Sequence, residues 1–317
     1  MSGATGAPRH WLPVFLLLGS VWGTSFLFLQ IAVPTMGPIP TAWVRVTLAA
    51  LCLMPLVLWR GHGRAMVGLY KPMIFMGLLN SGIPFLCYSY ALQHITTGMA
   101  SVLNATTPLF TALIAWAWLG ERPNLARALG LLLGLSGIAL LMLHSPGGLS
   151  GGHGWALLAC LIATSCYGVA SNFNQRHLRE VPPLVSAAGS QAGASLGLLL
   201  PAYWTWPSEP PSINAWLALA TLAVFCTALA YLWFFWLMAR IGAARTSTVI
   251  FLVPVVATTL GVVLLDEPIS AWMLGCAALI LLGTALSSGL LGARLTPASA
   301  LPEHAGDAQA GSAPPRC

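Results

Sequence analysis

The sequence predicts an all-α membrane protein, with ten transmembrane helices in two inverted five-helix repeats around a central cavity. Three observations carry that expectation. Hydrophobic residues fill 57% of the 317 positions and charged residues only 6%. Soluble domains carry about a quarter charged residues, so this chain has too little charge to cover a water-facing surface. Ten apolar stretches come close to the ~20 residues that a membrane helix needs. The second half of the chain then echoes the first at a near-constant offset.

Cutting at clusters of Pro, Gly and charge places the spans at 11–33, 39–59, 71–92, 97–119, 126–144, 154–175, 183–204, 214–238, 245–265 and 270–292. The first has Arg9 as a basic flank, like a secretory signal. It is too long for one, and no convincing small-x-small cleavage site precedes Pro34. The loops test the count. One side holds Arg9, Arg60, Arg64, Lys71, Arg122, Arg127, Arg176, Arg179, Arg240, Arg245, Arg294 and Arg316. The opposite loops, Pro34–Pro38, Gln93–Thr96, His144–His153 and Trp206–Ile213, hold no Lys or Arg, while Glu209, Asp266 and Glu267 fall on that side. A count wrong by one helix scrambles this pattern. Basic residues concentrate in cytoplasmic loops, so the pattern predicts a multi-pass inner-membrane protein with both termini cytoplasmic. It also accounts for the net charge of +6 without nucleic acid as a partner.

Of the seven cysteines, Cys52, Cys87, Cys160, Cys166, Cys226 and Cys276 lie in apolar stretches and read as small hydrophobes. No CxxC or Cys/His ligand spacing occurs, so neither a disulfide framework nor a metal site is expected. Cys317 is the last residue and cannot start a prenylation box. The tail from Leu295, rich in Ala, Pro and Gly, reads as disordered.

The repeat is clearest between GMASVLNATTPLFTALIAWAWLGERP (98–123) and AARTSTVIFLVPVVATTLGVVLLDEP (243–268). Pro108 matches Pro254, Glu121 matches Glu267 and Gly137 matches Gly283, each 146 residues apart. Trp22-Gly23 matches Tyr167-Gly168 and Gln30 matches Gln175, at an offset of 145. Five spans per half make the second half enter the membrane from the opposite side. The expected units are a first repeat over 1–146, an inverted second repeat over 147–293, and a cytoplasmic tail over 294–317. Inverted repeats recur in secondary transporters, where two pseudo-symmetric halves open alternately to each side. A gene duplication without transport is the alternative.

The runs VWGTSF (21–26), ALQHITTGMASVLNATTPLFTALIAWAWLGERP (91–123), GLLLGLSGIALLML (130–143), FLVPVVATTLGVVLLDEP (251–268) and LGCAALILLGTALSS (274–288) resemble the drug/metabolite transporter superfamily, EamA type. The likeness covers nearly all of 11–292, and its most specific part is the Pro-then-Gly-Glu-Arg end of the fourth span. It implies ten helices, a central cavity between the halves, and export of amino acids or related metabolites by alternating access. Within the superfamily the overall pattern is similar to the YddG-like aromatic and general amino-acid exporters, although no single motif carries that narrower likeness.

Polar residues at helical spacing mark the expected cavity faces. Ser101, Asn104, Pro108 and Thr111 share one face of the fourth span. Asn80, Pro84 and Tyr88 share one on the third, and Thr164, Tyr167, Ser171 and Asn174 one on the sixth. Polar groups facing lipid are costly, so these faces point inward. The alternative is ordinary interhelical hydrogen bonding. Most of the 13 tryptophans sit near span ends and belong to the interfacial belt. Trp22, Trp233 and Trp236 lie inside spans, and with Tyr88, Tyr167, Tyr231 and Phe234 they supply an aromatic wall or, alternatively, core packing. The expected substrate contacts are Trp22, Asn80, Tyr88, Ser101, Asn104, Tyr167, Ser171, Asn174, Tyr231, Phe234 and Trp236. Arg45, Pro108 and Pro254 are assigned to gating. The two prolines interrupt corresponding helices near mid-span, which is the best sequence pointer to a transporter site, with a purely structural kink as the alternative. Arg45 is the only charge well inside a span, roughly 9 Å from its outer end at 1.5 Å per residue. It either holds a substrate carboxylate or carbonyl groups at an outer gate, or snorkels to the interface.

No Asp or Glu lies within a span, so facilitated transport is expected, with no cofactor. The alternative is proton antiport of other amphiphilic metabolites or drugs. A small-multidrug-type cation exporter, in the same superfamily, uses a buried Glu in its first helix, and residues 11–33 have none. An intramembrane enzyme needs a nucleophile with a base, or a metal, and no paired carboxylates, HExxH or Ser/His pair occurs in the spans. A channel differs from a carrier in lacking saturable flux. The expected partners are a small-molecule substrate and membrane lipid, with the chain a monomer or weak homodimer.

Overall fold

The computed structural model describes residues 10–143 and 151–289. Among the described residues all regular structure is helical. Nine helices are long and apolar enough to cross a membrane: α1 (Trp11–Met36), α2 (Pro38–Trp59), α3 (Tyr70–Ala91), α4 (Thr97–Leu119), α5 (Leu125–Leu143), α6 (Gly152–His177), α7 (Pro183–Trp204), α8 (Ile213–Ile241) and α9 (Arg245–Leu265). A shorter apolar helix, α10 (Ala271–Ser287), completes ten. Each expected span coincides with one of them within a few residues. Residues 144–150, the end of the tenth expected span beyond Gly289, and the tail with Arg294, Arg316 and Cys317 lie outside the described residues, as does Arg9.

The helix ends have local causes. The Thr96, Ser212 and Ser270 hydroxyls accept the backbone N–H three residues on, at 3.2, 3.2 and 3.1 Å, and so start α4, α8 and α10. Pro38 and Pro183 open α2 and α7, where a missing N–H is harmless. Gly37, Gly120 and Gly242 stop α1, α4 and α8 with φ of 80°, 72° and 80°, a backbone region that disfavours other residues.

The packing is symmetric under exchange of the two halves. α5 packs on α10, α2 on α7, and α4 on α9. α3 packs on α6 and α7, as α8 packs on α1 and α2; α1 packs on α9, as α6 packs on α4. Swapping each helix for its partner five places along returns these main pairings, whereas the packing of α4 on α10 and on α1 has no counterpart of like extent between α9 and α5 or α6. Because five spans separate the partners, matched helices run in opposite directions, and the twofold relation lies in the membrane plane. All the described basic helix ends, from Arg60 to Arg245, therefore share one face, called here the basic face. The corner at Asp266–Glu267 sits on the other.

The α5–α10 pair crosses backbone to backbone. A Cβ on Gly283 would collide with the backbone of Gly134 and Gly130, and one on Gly130 would collide with that of Ser287 and Gly283. Without a hydrophobic drive between lipid-exposed helices, such small-residue contacts supply the packing. Gly283→Ala is expected to cost about 1–3 kcal/mol and to lower the unfolding midpoint in detergent by several degrees. Gly275→Ala, on the same helix with open space around its Cβ, is the control and is expected to leave the midpoint unchanged or raised. Thermal unfolding of the purified protein checks both.

Candidate functional site

Between the halves lies a cavity of about 570 Å³, within the ~300–1,000 Å³ usual for small-molecule sites. It opens on the basic face, where the exposed Glu121, Arg127 and Ser288 line its mouth. It ends deep in the protein against the buried Leu29, Arg45, Phe85 and Tyr88. A second depression, lined by Gln30, Thr96, His153 and Glu267, lies on the opposite face. The apolar layer of Leu92, Ile95, Met99 and Leu103 fills the core toward that face.

Irregular backbone shapes the cavity. α3 carries a π-turn at Leu78–Gly82 and α8 one at Val224–Leu229, at matched positions of the repeat. Each widens the helix and turns polar residues inward: Asn80 from α3, and Cys226 and Thr227 from α8. α4 breaks at Ala105–Thr106, between Thr97–Asn104 and Thr107–Ile114. Pro108 leaves the Asn104 carbonyl without its helical donor, and the Thr107 hydroxyl takes that place at 2.7 Å. In α9 the matched stretch, Thr248–Phe251, tightens to a 3₁₀ turn before Pro254. The Trp22-Gly23 and Tyr167-Gly168 pairs sit against these broken helices. A Cβ on Gly23 would meet Val256 and the Val253 carbonyl; one on Gly168 would meet Phe110 and Thr111 of α4. The glycine of each pair thus seats its helix, and the aromatic before it lines the cavity.

The walls are aromatic with a few amides. Trp22 meets Phe234 with ring centres 5.5 Å apart. Tyr88 lies edge-on to Phe26 at 5.6 Å and stacks towards Tyr167 at 6.5 Å. The Tyr88 hydroxyl donates to Asn104 Oδ1 at 3.1 Å, and Asn80 Nδ2 donates to the Tyr231 hydroxyl at 2.7 Å. Arg45 Nε donates to Thr227 Oγ1 at 3.0 Å, and its guanidinium lies 3.7 Å above the centre of the Phe85 ring.

The far side is latched. Both Glu267 carboxylate oxygens accept the Thr97 N–H, at 2.8 and 3.0 Å, and one also accepts the Thr97 hydroxyl at 2.8 Å. The carboxylate thereby caps the N-terminus of α4, where the helix dipole favours negative charge. Gly261 leaves the room: a Cβ there would collide with both Glu267 and Thr97. The matched corner has the same backbone. Glu121 N–H reaches the Ala115 carbonyl at 3.4 Å, as Glu267 N–H reaches that of Gly261 at 3.1 Å. Yet the Glu121 side chain stands exposed at the cavity mouth.

The EamA-like transporter family model matches this chain twice, over residues 10–143 and 154–289. The chain belongs to the EamA-like transporter family. It is 28% identical to the uncharacterized inner membrane transporter YedA of Escherichia coli K12, over 83% of this chain and 86% of that one. It is 26% identical to the uncharacterized transporter YvbV of Bacillus subtilis 168, over 87% and 89%. A solved crystal structure shares the fold with a TM-score of 0.64 at 24% identity, over 90% of this chain and 99% of that one. The protein is thus a multi-pass membrane transporter of the drug/metabolite type.

In this EamA fold, Trp22, Asn80, Tyr88, Asn104, Tyr167, Ser171, Tyr231 and Phe234 line the cavity, as do Arg45 and Pro108. Ser101, Asn174, Trp236 and Pro254 do not. Ser101 lies before the break in α4 and donates to its own Gly98 carbonyl at 2.7 Å. Trp236 packs with Leu18, Leu237 and Val249 and takes Arg240 over its ring at 4.9 Å. Pro254 is buried inside α9. On α6 the lining is turned toward Asn172 and Gln175, because Gly168 seats that helix directly on α4; Asn172 Nδ2 donates to the Thr111 and Gly168 carbonyls at 3.1 and 2.9 Å. Periodicity alone missed Asn172, Gln175 and Thr227. The match of Gln30 to Gln175 in the repeat was the one signal for any of them. Asn104→Ala is expected to raise the apparent KM for a transported substrate on the order of fivefold to tenfold, roughly one hydrogen bond. Ser101→Ala is expected to leave it unchanged. Initial-rate flux in proteoliposomes checks the pair.

Proposed function

We propose that this transporter exports amino acids, aromatic or broad in side-chain preference, by alternating access and without proton coupling. The observation that carries the reading is the unequal state of two matched corners around one cavity. Glu267 is docked on α4 and the far side is shut; Glu121 is free and the basic face is open. In the partner state the halves exchange roles: the Glu267–Thr97 latch parts and the Glu121 corner closes on the N-terminal end of α9. By the one-sided distribution of basic residues, the open face is cytoplasmic, so the cavity stands ready to load from inside. Its aromatic rings suit an apolar side chain, and its amides and hydroxyls suit the polar end of an amino acid. The absence of Asp and Glu from the spans supports a facilitated mechanism, since proton relays use buried carboxylates or His.

Counterflow in proteoliposomes with a panel of radiolabelled amino acids, including Thr, Met and the aromatic ones, tests the function. Saturable exchange of at least one is expected. Silence across the panel overturns the amino-acid assignment, and uphill flux driven by a pH gradient alone overturns the uncoupled mechanism. The latch has its own test. In a cysteine-free background with Ser171→Cys in the cavity wall, Glu267→Ala is expected to raise labelling from the face opposite the basic one by a membrane-impermeant thiol reagent about tenfold or more. Charge-assisted hydrogen bonds of about 1.5–3 kcal/mol each stand behind that figure. Unchanged labelling sinks the latch.

A further inference from the structure

Arg45 is the only charged side chain well inside a span. It is 5% exposed and closes the deep end of the cavity. Thr227 fixes its Nε, and Phe85 covers one face of the guanidinium. Among the described residues no carboxylate pairs with it, and its Nη edge carries no protein hydrogen bond. A buried, unpaired cation bears a large desolvation cost, so the arrangement calls for an anionic partner that comes and goes.

The repeat supplies an internal control. The residue 146 positions after Arg45 is Gln191, and the residue 146 positions before Thr227 is Ser81. Gln191 Nε2 donates to Ser81 Oγ at 2.8 Å. The same bridge, from α7 to the π-turn of α3, is therefore made by a neutral amide that is fully buried and does not line the cavity. The bridging role needs a donor and no charge. What distinguishes position 45 is that its side chain reaches the cavity. The charge there is left facing the cavity.

The cavity offers no matching site for a cation. The spans contain no carboxylate, and Glu121 lies at the mouth, the far end from Arg45. An ammonium group at the deep end meets only neutral acceptors, while a carboxylate meets a planar fork suited to bidentate binding. Phe26, Tyr88, Trp22 and Phe234 then face the apolar body of the ligand.

We infer that the cavity selects its ligand by the carboxylate: the substrates are organic carboxylates with an apolar or aromatic body, seated on Arg45, and an amino group is dispensable. This rests on the reading of the cavity as the transport site and narrows what it accepts. The test is calorimetric binding of three probes to the purified wild-type protein in detergent at about pH 7.5, where carboxylates and amines are both charged: phenylalanine, 3-phenylpropionate and 2-phenylethylamine. The two carboxylates are expected to bind within about threefold of each other, and the amine at least tenfold more weakly. Arg45→Gln copies the Gln191 arrangement and keeps a donor for Thr227. It is expected to retain the wild-type unfolding midpoint and to lose carboxylate binding at least tenfold. Binding of phenylalanine without phenylpropionate, equal binding of the amine, no binding of any probe, or wild-type affinity in Arg45→Gln overturns the inference. The wild-type selectivity decides the matter even where the variant does not fold. Phenylpropionate binding alongside a silent amino-acid counterflow panel overturns the proposed substrate and leaves this inference standing. Amino-acid counterflow without phenylpropionate binding does the reverse.

Discussion

In hydrocarbon, every backbone N–H and C=O has to find its partner inside the protein, and the rest of this structure follows from that constraint. Regular helices satisfy it by themselves. Irregular backbone is tolerable only where protein or a cavity surrounds it. Here the π-turns of α3 and α8 and the break in α4 border the same cavity, and the freed groups are satisfied locally. The Thr107 hydroxyl takes up the Asn104 carbonyl. The Thr227 hydroxyl donates to the Leu222 carbonyl five residues back, at 2.8 Å, while accepting from Arg45. The polar residues of the site thus also keep the helices intact where the backbone departs from regularity.

The same constraint explains what the sequence made legible. A span is an average over some twenty residues, so single errors cancel and the ten segments emerge within a few residues of their structural bounds. α1 runs on through Pro34 to Met36, where composition alone suggested a stop. The repeat made Trp22 and Tyr167 legible as a pair, since a position matched across halves at one offset acquires the same surroundings. Faces were less legible, because they depend on a steady 3.6-residue period. A π-turn adds a residue and rotates everything beyond it by about 100°, and a break, as at Ala105–Thr106, resets the register. Ser101 falls on the wrong side of that break, and Thr227 sits within such a turn. Arg45 stood out in the sequence as the lone intramembrane charge. Its partner, 182 residues away, is fixed only by folding.

Backbone symmetry with side-chain asymmetry has a further consequence. The proposed alternation between two states requires arrangements of nearly equal free energy, which a repeated scaffold supplies: exchanging the halves regenerates the main helix pairings. Side chains then bias the balance. The Glu267 latch needs the space that Gly261 leaves, since any Cβ there collides with the carboxylate and with Thr97. At the matched position stands Ala115, with a methyl group in place of that space. The Glu121 corner therefore cannot tuck in on equal terms, and in the proposed alternation the state shut on the basic face has the weaker closure. On the proposed mechanism, this biases the empty carrier toward the state open on the basic face. A ligand shifts that balance only through its differential affinity for the two states. Because α2 and α8 meet at the Arg45–Thr227 bond, a ligand at the deep end of the cavity sits on a contact between the two halves and, on the proposed mechanism, is placed to bias their exchange.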